Sequence, residues 1–226
     1  CRSLGGQGGH GRGPADKDRP SRSTSGHRRM SVDTHGRWPW GAAATVVPAW
    51  TAAAVRRRWL LTDGRWVAGL AIPILVSHHT EEWVRPGGFL PFVNQRLLGS
   101  DKPDWPLTER LAFHINVSIG WASAVAALIL WRRTPVPAAG VLWLEAGNFA
   151  MHTGMAVAQR RYNPGVVTAA LLMGPHAVAG ARWMRRSVDL SPRARAATAA
   201  FGLSIGVLPA AMKLRMRLSA DSAEHA

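Results

Sequence analysis

Five apolar runs separated by short charged spacers dominate the chain from Trp66 onward, covering residues 66–83, 111–131, 136–158, 164–184 and 196–212. Crossing about 30 Å of hydrocarbon takes roughly 20 residues of helix, and only helices and closed barrels satisfy every backbone polar group inside a bilayer. The runs have about that length. The spacers place arginine at the run ends: Arg132 and Arg133, Arg160 and Arg161, and the basic stretch from Arg182 to Arg195. Short connections favour antiparallel neighbours. The fold expected is all-α, an integral membrane bundle of about five transmembrane helices. Small residues such as Ala124, Gly147, Gly154 and Gly174 permit close helix approach where lipid offers no hydrophobic drive for association. Pro73, Pro175 and Pro209 fall inside runs, where neighbouring helices can satisfy the freed carbonyls.

Composition changes along the chain. Of 226 residues, 47% are hydrophobic and 18% charged, with a formal net charge of +15. Residues 1–58 hold 11 Arg or Lys against 3 Asp, so +8 of that charge falls on about a quarter of the sequence. Residues 1–60 therefore read as a basic, Gly/Ser/Arg-rich disordered tail, 66–212 as the transmembrane helical domain, and 213–226 as a short polar C-terminal tail. Segment 41–55 is apolar but Ala-rich and interrupted by Pro48, which suits an interfacial helix or part of the tail. No aromatic residue precedes Trp38 and no binding module follows, so no nucleic-acid partner is expected. The chain opens on Cys1, with Met30 a candidate initiator, and the tail lacks the charged, apolar and small-residue order of a secretory signal. The basic tail and the Arg182 to Arg195 stretch lean towards a cytoplasmic N-terminus in the cell membrane. A single Cys excludes a disulfide framework and a thiolate cluster, so any metal must be held by nitrogen and oxygen.

The run over 66–83 ends in Ser77-His78-His79-Thr80-Glu81-Glu82. On a helix, His78 and Glu82 are four apart, while His78 and Glu81, and His79 and Glu82, are three apart, so each histidine has a carboxylate one turn away. That pattern suits a divalent metal, zinc, iron or manganese, and equally an acid/base pair. An ion-paired helix end is the plainer alternative for one such pair; two acids and two histidines in five residues favour a site. In run 136–158, Glu145, Asn148 and His152 follow at three and four residues and form one polar stripe. A charge at mid-membrane costs about 2.5–3.5 kcal/mol on insertion scales, so the stripe must face inward. In run 111–131, His114 and Ser118 share a face. The candidate metal set is His78, His79, Glu82, His114, Glu145 and His152, with His78, Glu82 and His152 as its centre. Glu81 is assigned to proton transfer and Asn148 to orientation. His176, beside Pro175, has no acidic neighbour in sequence and reads as structural. Asn163-Pro164-Gly165 marks a turn into the next helix. The Pro- and Gly-rich loop over 85–110 is expected to be irregular and to roof the polar site.

With its His78-His79-Thr80-Glu81-Glu82 run, the Asn148 to His152 pair and the Tyr162-Asn163-Pro164-Gly165 turn, the chain resembles the HXXEE-domain family of small membrane proteins over residues 66–212. The resemblance implies a multi-pass domain of enzymatic character; the basic tail lies outside the family pattern. The leading expectation is a metal-dependent membrane enzyme acting on a lipophilic small molecule by hydrolysis or isomerisation, or by oxidation at an iron site. The alternatives are a proton-coupled transporter using Glu145 and His152 as a relay, disfavoured by the lack of an inverted repeat, and a structural membrane protein with a buried polar network.

Overall fold

The computed structural model describes residues 34–224. Of the tail expected to be disordered over 1–60, residues 1–33, with the candidate start at Met30, lie outside the described residues, while residues 34–60 are helical over almost their whole length, against that expectation. Six long helices follow in order: α1 (Thr34–Val55), α2 (Ala71–Trp83), α3 (Glu109–Leu130), α4 (Val136–Gln159), α5 (residues 166–187) and α6 (Pro192–Glu224). Together with shorter turns of helix they make the described part all-α.

Local chemistry marks the boundaries. Thr108 caps α3 by accepting from the Leu111 amide at 3.2 Å, which satisfies one of the orphan donors of a helix start. Arg160, at φ +50, ends α4 in the left-handed region. Gly165, at φ +96, opens α5. Three stretches wind more loosely, as π-helix: Phe92–Leu97 in the loop before α3, His114–Trp121 inside α3 and Ala169–Met173 inside α5.

Helix α4 is central, with α3, α5 and α6 packed around it. An apolar core forms where Val67, Ala68 and Ala71 meet Ala124 and Ala127 of α3, Leu142 of α4 and Met184 of α5. These contacts are small-to-small or small-to-large, as close helix approach requires. A second core joins Phe92, Val93 and Leu107 to Ala112 of α3 and Met212 of α6.

Helices α2 to α6 coincide with the five apolar runs, yet their lengths and compositions differ from expectation. Among the described residues, α3 is the one continuous helix long and apolar enough to cross a membrane. The pair Pro192–Ser204 and Gly206–Ser222 of α6, bent by 49°, passes the same criterion if taken as a single span. Length and composition thus account for one or two of the five expected spans. The shortfall has visible causes. The run into α2 breaks at Leu70 and ends in four titratable residues, α4 is diluted by Ala, Gly and its polar stripe, and α5 ends in Arg182, Arg185 and Arg186.

Segment 41–55 belongs to the full-length helix α1, in spite of Pro39 and Pro48. It packs on α2: Trp50 Nε1 donates to Ser77 Oγ at 3.0 Å, and Trp38 sits edge-on to His79 and Trp83. Residues 213–224, read as a polar tail, continue α6. In the loop over 85–110, residues 89–97 are helical. Buried Asn94 ties the rest down by donating to Pro103 O and Leu107 O and accepting from the Leu107 amide, each at 2.8 Å.

Candidate metal centre

His78 and Glu82 project from the same side of the last turns of α2, and His152 reaches them from α4. His78 Nε2 stands 3.4 Å, and His152 Nε2 3.2 Å, from the same oxygen, Glu82 Oε1. The two imidazoles meet edge to face with centroids 4.9 Å apart. All three residues are buried, at 1%, 3% and 0% exposure for His78, Glu82 and His152. Neither Nε2 makes a hydrogen bond.

The surrounding bonds assign the tautomers. Asn163 Nδ2 donates to the His152 carbonyl at 2.9 Å, which turns Asn163 Oδ1 towards His152 Nδ1 at 2.8 Å. An amide oxygen only accepts, so Nδ1 carries the proton and Nε2 of the neutral ring a lone pair. Thr168 gives its hydroxyl proton to Glu81 Oε2 and is left to accept from His78 Nδ1 at 3.0 Å. His78 Nε2 therefore carries a lone pair as well. With both rings neutral, two lone pairs and a carboxylate oxygen converge in a buried space, an arrangement that a metal cation between them satisfies; with protonated rings the same contacts are ion pairs to Glu82 at 3.4 and 3.2 Å. Ligands about 2.0–2.1 Å from a tetrahedral metal lie roughly 3.3 Å apart, and the two nitrogen–oxygen separations fall on either side of that value. The three ligand atoms lie within 4.8 Å of one another. A hydrogen-bond acceptor behind each imidazole is the support that metal-binding histidines ordinarily have.

The turn at Gly165 closes one side. A Cβ there would come within 2.7 Å of His152 Cε1, 2.8 Å of His78 Cε1 and 2.9 Å of Glu82 Cγ. Glycine is needed both for its positive φ and for this contact. On another side Glu82 borders a cavity of about 330 Å³ lined by apolar groups including Leu75, Ile115, Leu144 and Leu208.

The family model described as "Protein of unknown function with HXXEE motif" matches residues 69–179, a span that holds all three converging residues and the turn over them. The chain carries an HXXEE-family domain. No curated protein and no solved structure matches it.

Within the HXXEE domain the two motif glutamates have different work. Glu82 faces the histidines. Glu81 accepts from the Val167 amide at 3.0 Å, the Thr168 amide at 2.7 Å, the Thr168 hydroxyl and the Tyr162 hydroxyl at 3.0 Å. Partial burial and then the neighbouring Glu81 raise the Tyr162 phenol above the ordinary tyrosine range, so it remains a donor. Gly165 opens α5 without a side chain that could cap it, and Glu81 supplies the missing acceptor from α2. Glu81, the residue expected to transfer protons, is bonded by four donors here: it holds Thr168, and Thr168 meets His78. Glu81→Ala should lower stability by roughly 1–3 kcal/mol, and thermal melting in detergent will read that loss.

The other expected site residues stand apart from the cluster. His79 Nδ1 accepts from Trp121 Nε1 at 2.8 Å, and its ring lies beside Trp38. His114 is exposed, with Nδ1 3.3 Å from Ser118 Oγ on its own helix, because the face it shares with Ser118 turns away from the core. Asn148 donates to Leu144 O at 3.0 Å and borders the cavity. Glu145 pairs with His176 of α5, Oε2 against Nδ1. His176 thus has the acidic partner it lacks in sequence. Asn163, legible in the sequence only as part of a turn, and Thr168, which carries no sequence signal of its own, orient the two imidazoles.

Proposed function

We propose that the chain is a metal-dependent membrane enzyme acting on a lipophilic substrate. His78, Glu82 and His152 hold a divalent metal, zinc, iron or manganese, and the cavity bordered by Glu82 receives the substrate. The observation that carries this reading is the convergence of His78 Nε2, His152 Nε2 and a Glu82 oxygen, all buried, within 4.8 Å of one another. Three protein ligands are the number typical of a catalytic site that keeps a coordination position open. A metal held there supplies a Lewis acid and an activated water for hydrolysis or isomerisation, or a redox centre if it is iron. The chain's own residues fix the imidazoles through Asn163 and Thr168, close one side with Gly165, and offer an apolar chamber on another.

A bilayer setting is supported by inverted polarity. The buried groups of α2 and α4 include His78, His79, Glu82, Glu145 and His152, while Ile129, Val157, Leu171 and Leu203 are each more than half exposed. Ionisable groups turned inward and large aliphatic groups turned outward suit a bundle in lipid, and most of the apolar stretch of α3 is unburied. Short or diluted helices would then be carried in the membrane by their packing around α4.

The test is to incubate metal-loaded protein in nanodiscs with a total lipid extract and follow products by mass spectrometry. New products that vanish on chelation and in Glu82→Ala support the proposal. A lipid extract left unchanged by metal-loaded protein, or products indifferent to chelation, contradict it.

A further inference from the structure

The cavity beside Glu82 contains a second polar feature that the metal centre does not use. Glu145 and Trp83 both line it, and each keeps one buried polar atom without a hydrogen-bond partner: Glu145 Oε1 and Trp83 Nε1. Buried polar atoms are paired in the great majority of cases, and leaving one unpaired costs roughly 1–3 kcal/mol. Two such atoms on one apolar chamber call for a ligand that completes them.

The character of Glu145 Oε1 follows from its partner. His176 Nδ1 binds the other oxygen, Oε2, while His176 Nε2 lies 3.5 Å from the Trp66 carbonyl. The proton shared by the pair lies between Oε2 and Nδ1. Whether it sits on the carboxyl or on the ring, Oε1 keeps its lone pairs and remains an acceptor. Trp83 Nε1 is a donor in every state. Beside Asn116, Asn148 and Ser204, the mostly apolar chamber therefore offers Glu145 Oε1 as a buried, unpaired acceptor and Trp83 Nε1 as a buried, unpaired donor, and its volume is at the small end of ligand sites, about 300–1,000 Å³.

We infer that Glu145 reads a hydroxyl group on the substrate, so that the chamber selects compact lipophilic alcohols over their ethers and hydrocarbons. His176 is the positioning residue that holds Glu145 in place. The inference rests on the cavity being the substrate chamber of the proposed enzyme. An ether can still accept from Trp83 but has nothing to give Glu145, so exchanging one for the other isolates the contact. Sites built to bond a ligand's polar hydrogen reject analogues lacking it, because their own buried group is left unpaired.

The experiment uses full-length protein in nanodiscs, titrated with 1-decanol and with methyl decyl ether against empty nanodiscs and followed by tryptophan fluorescence. Wild-type protein should bind the alcohol at least tenfold more tightly than the ether, and Glu145→Leu should bring the alcohol down to the level of the ether. Equal affinities in the wild type, no binding of either molecule, or a preference that survives Glu145→Leu would overturn the inference. The wild-type comparison needs no variant to fold. Metal content measured on the same samples separates the two proposals: bound metal without alcohol preference defeats this inference alone, and alcohol preference without metal defeats the metal reading alone.

Discussion

Replacing Gly165 with alanine will disable the proposed metal centre although Gly165 contributes no ligand. Its φ of +96 lies where an alanine is strained, at a cost of roughly 1–3 kcal/mol. The added methyl would also sit 2.7–2.9 Å from atoms of His152, His78 and Glu82 at once. Those three side chains are buried and cannot retreat together, and overpacking of this kind adds roughly another 1–3 kcal/mol. The expected result is a clear fall in melting temperature and a loss of bound metal. Gly154 provides the control, since a Cβ there meets nothing within 4 Å on an exposed part of α4. Gly154→Ala should be neutral or stabilising by up to about 1 kcal/mol. Equal effects at the two positions would refute the role assigned to the turn.

Asn163→Ala is the second large effect, and it acts entirely through His152. Asn163 is 1% exposed and both receives the Nδ1 proton of His152 and donates to the His152 carbonyl. Without it the imidazole can turn or place its proton on Nε2, where no ligand lone pair then remains. Loss of such a supporting partner ordinarily lowers metal affinity by about 10–100-fold. Asn163→Asp keeps an acceptor opposite Nδ1 and should retain most of that affinity. Metal titration of both variants distinguishes this account from a purely structural turn, because the latter predicts that the two lose affinity alike.

What could be read from the sequence was local. The His78 and Glu82 spacing lies within one helix, so its geometry follows from the helical repeat, and His152 stands in a polar stripe on an apolar segment. The helix positions followed from the apolar runs for the same reason. Side chains whose role depends on how helices dock were beyond reach. Glu81 looks like a second catalytic acid in the motif, and becomes a cap only because α5 begins against the end of α2. His176 looked isolated since its partner Glu145 is 31 positions away and on another helix. His114 lies on a polar face as expected, but packing, which periodicity cannot reveal, turned that face outward. Helix α1 was hidden by two prolines, and its tryptophans find their partners only across the α2 contact.

The claim on which the account turns is that the space between His78, Glu82 and His152 holds a divalent metal and not additional protons. Elemental analysis of full-length protein, extracted in detergent without chelators, decides it. The account predicts about one zinc, iron or manganese ion per chain, lost in His152→Ala while the helical circular dichroism signal persists. Folded wild-type protein that is free of metal, takes up none on titration and still turns over substrate would contradict it.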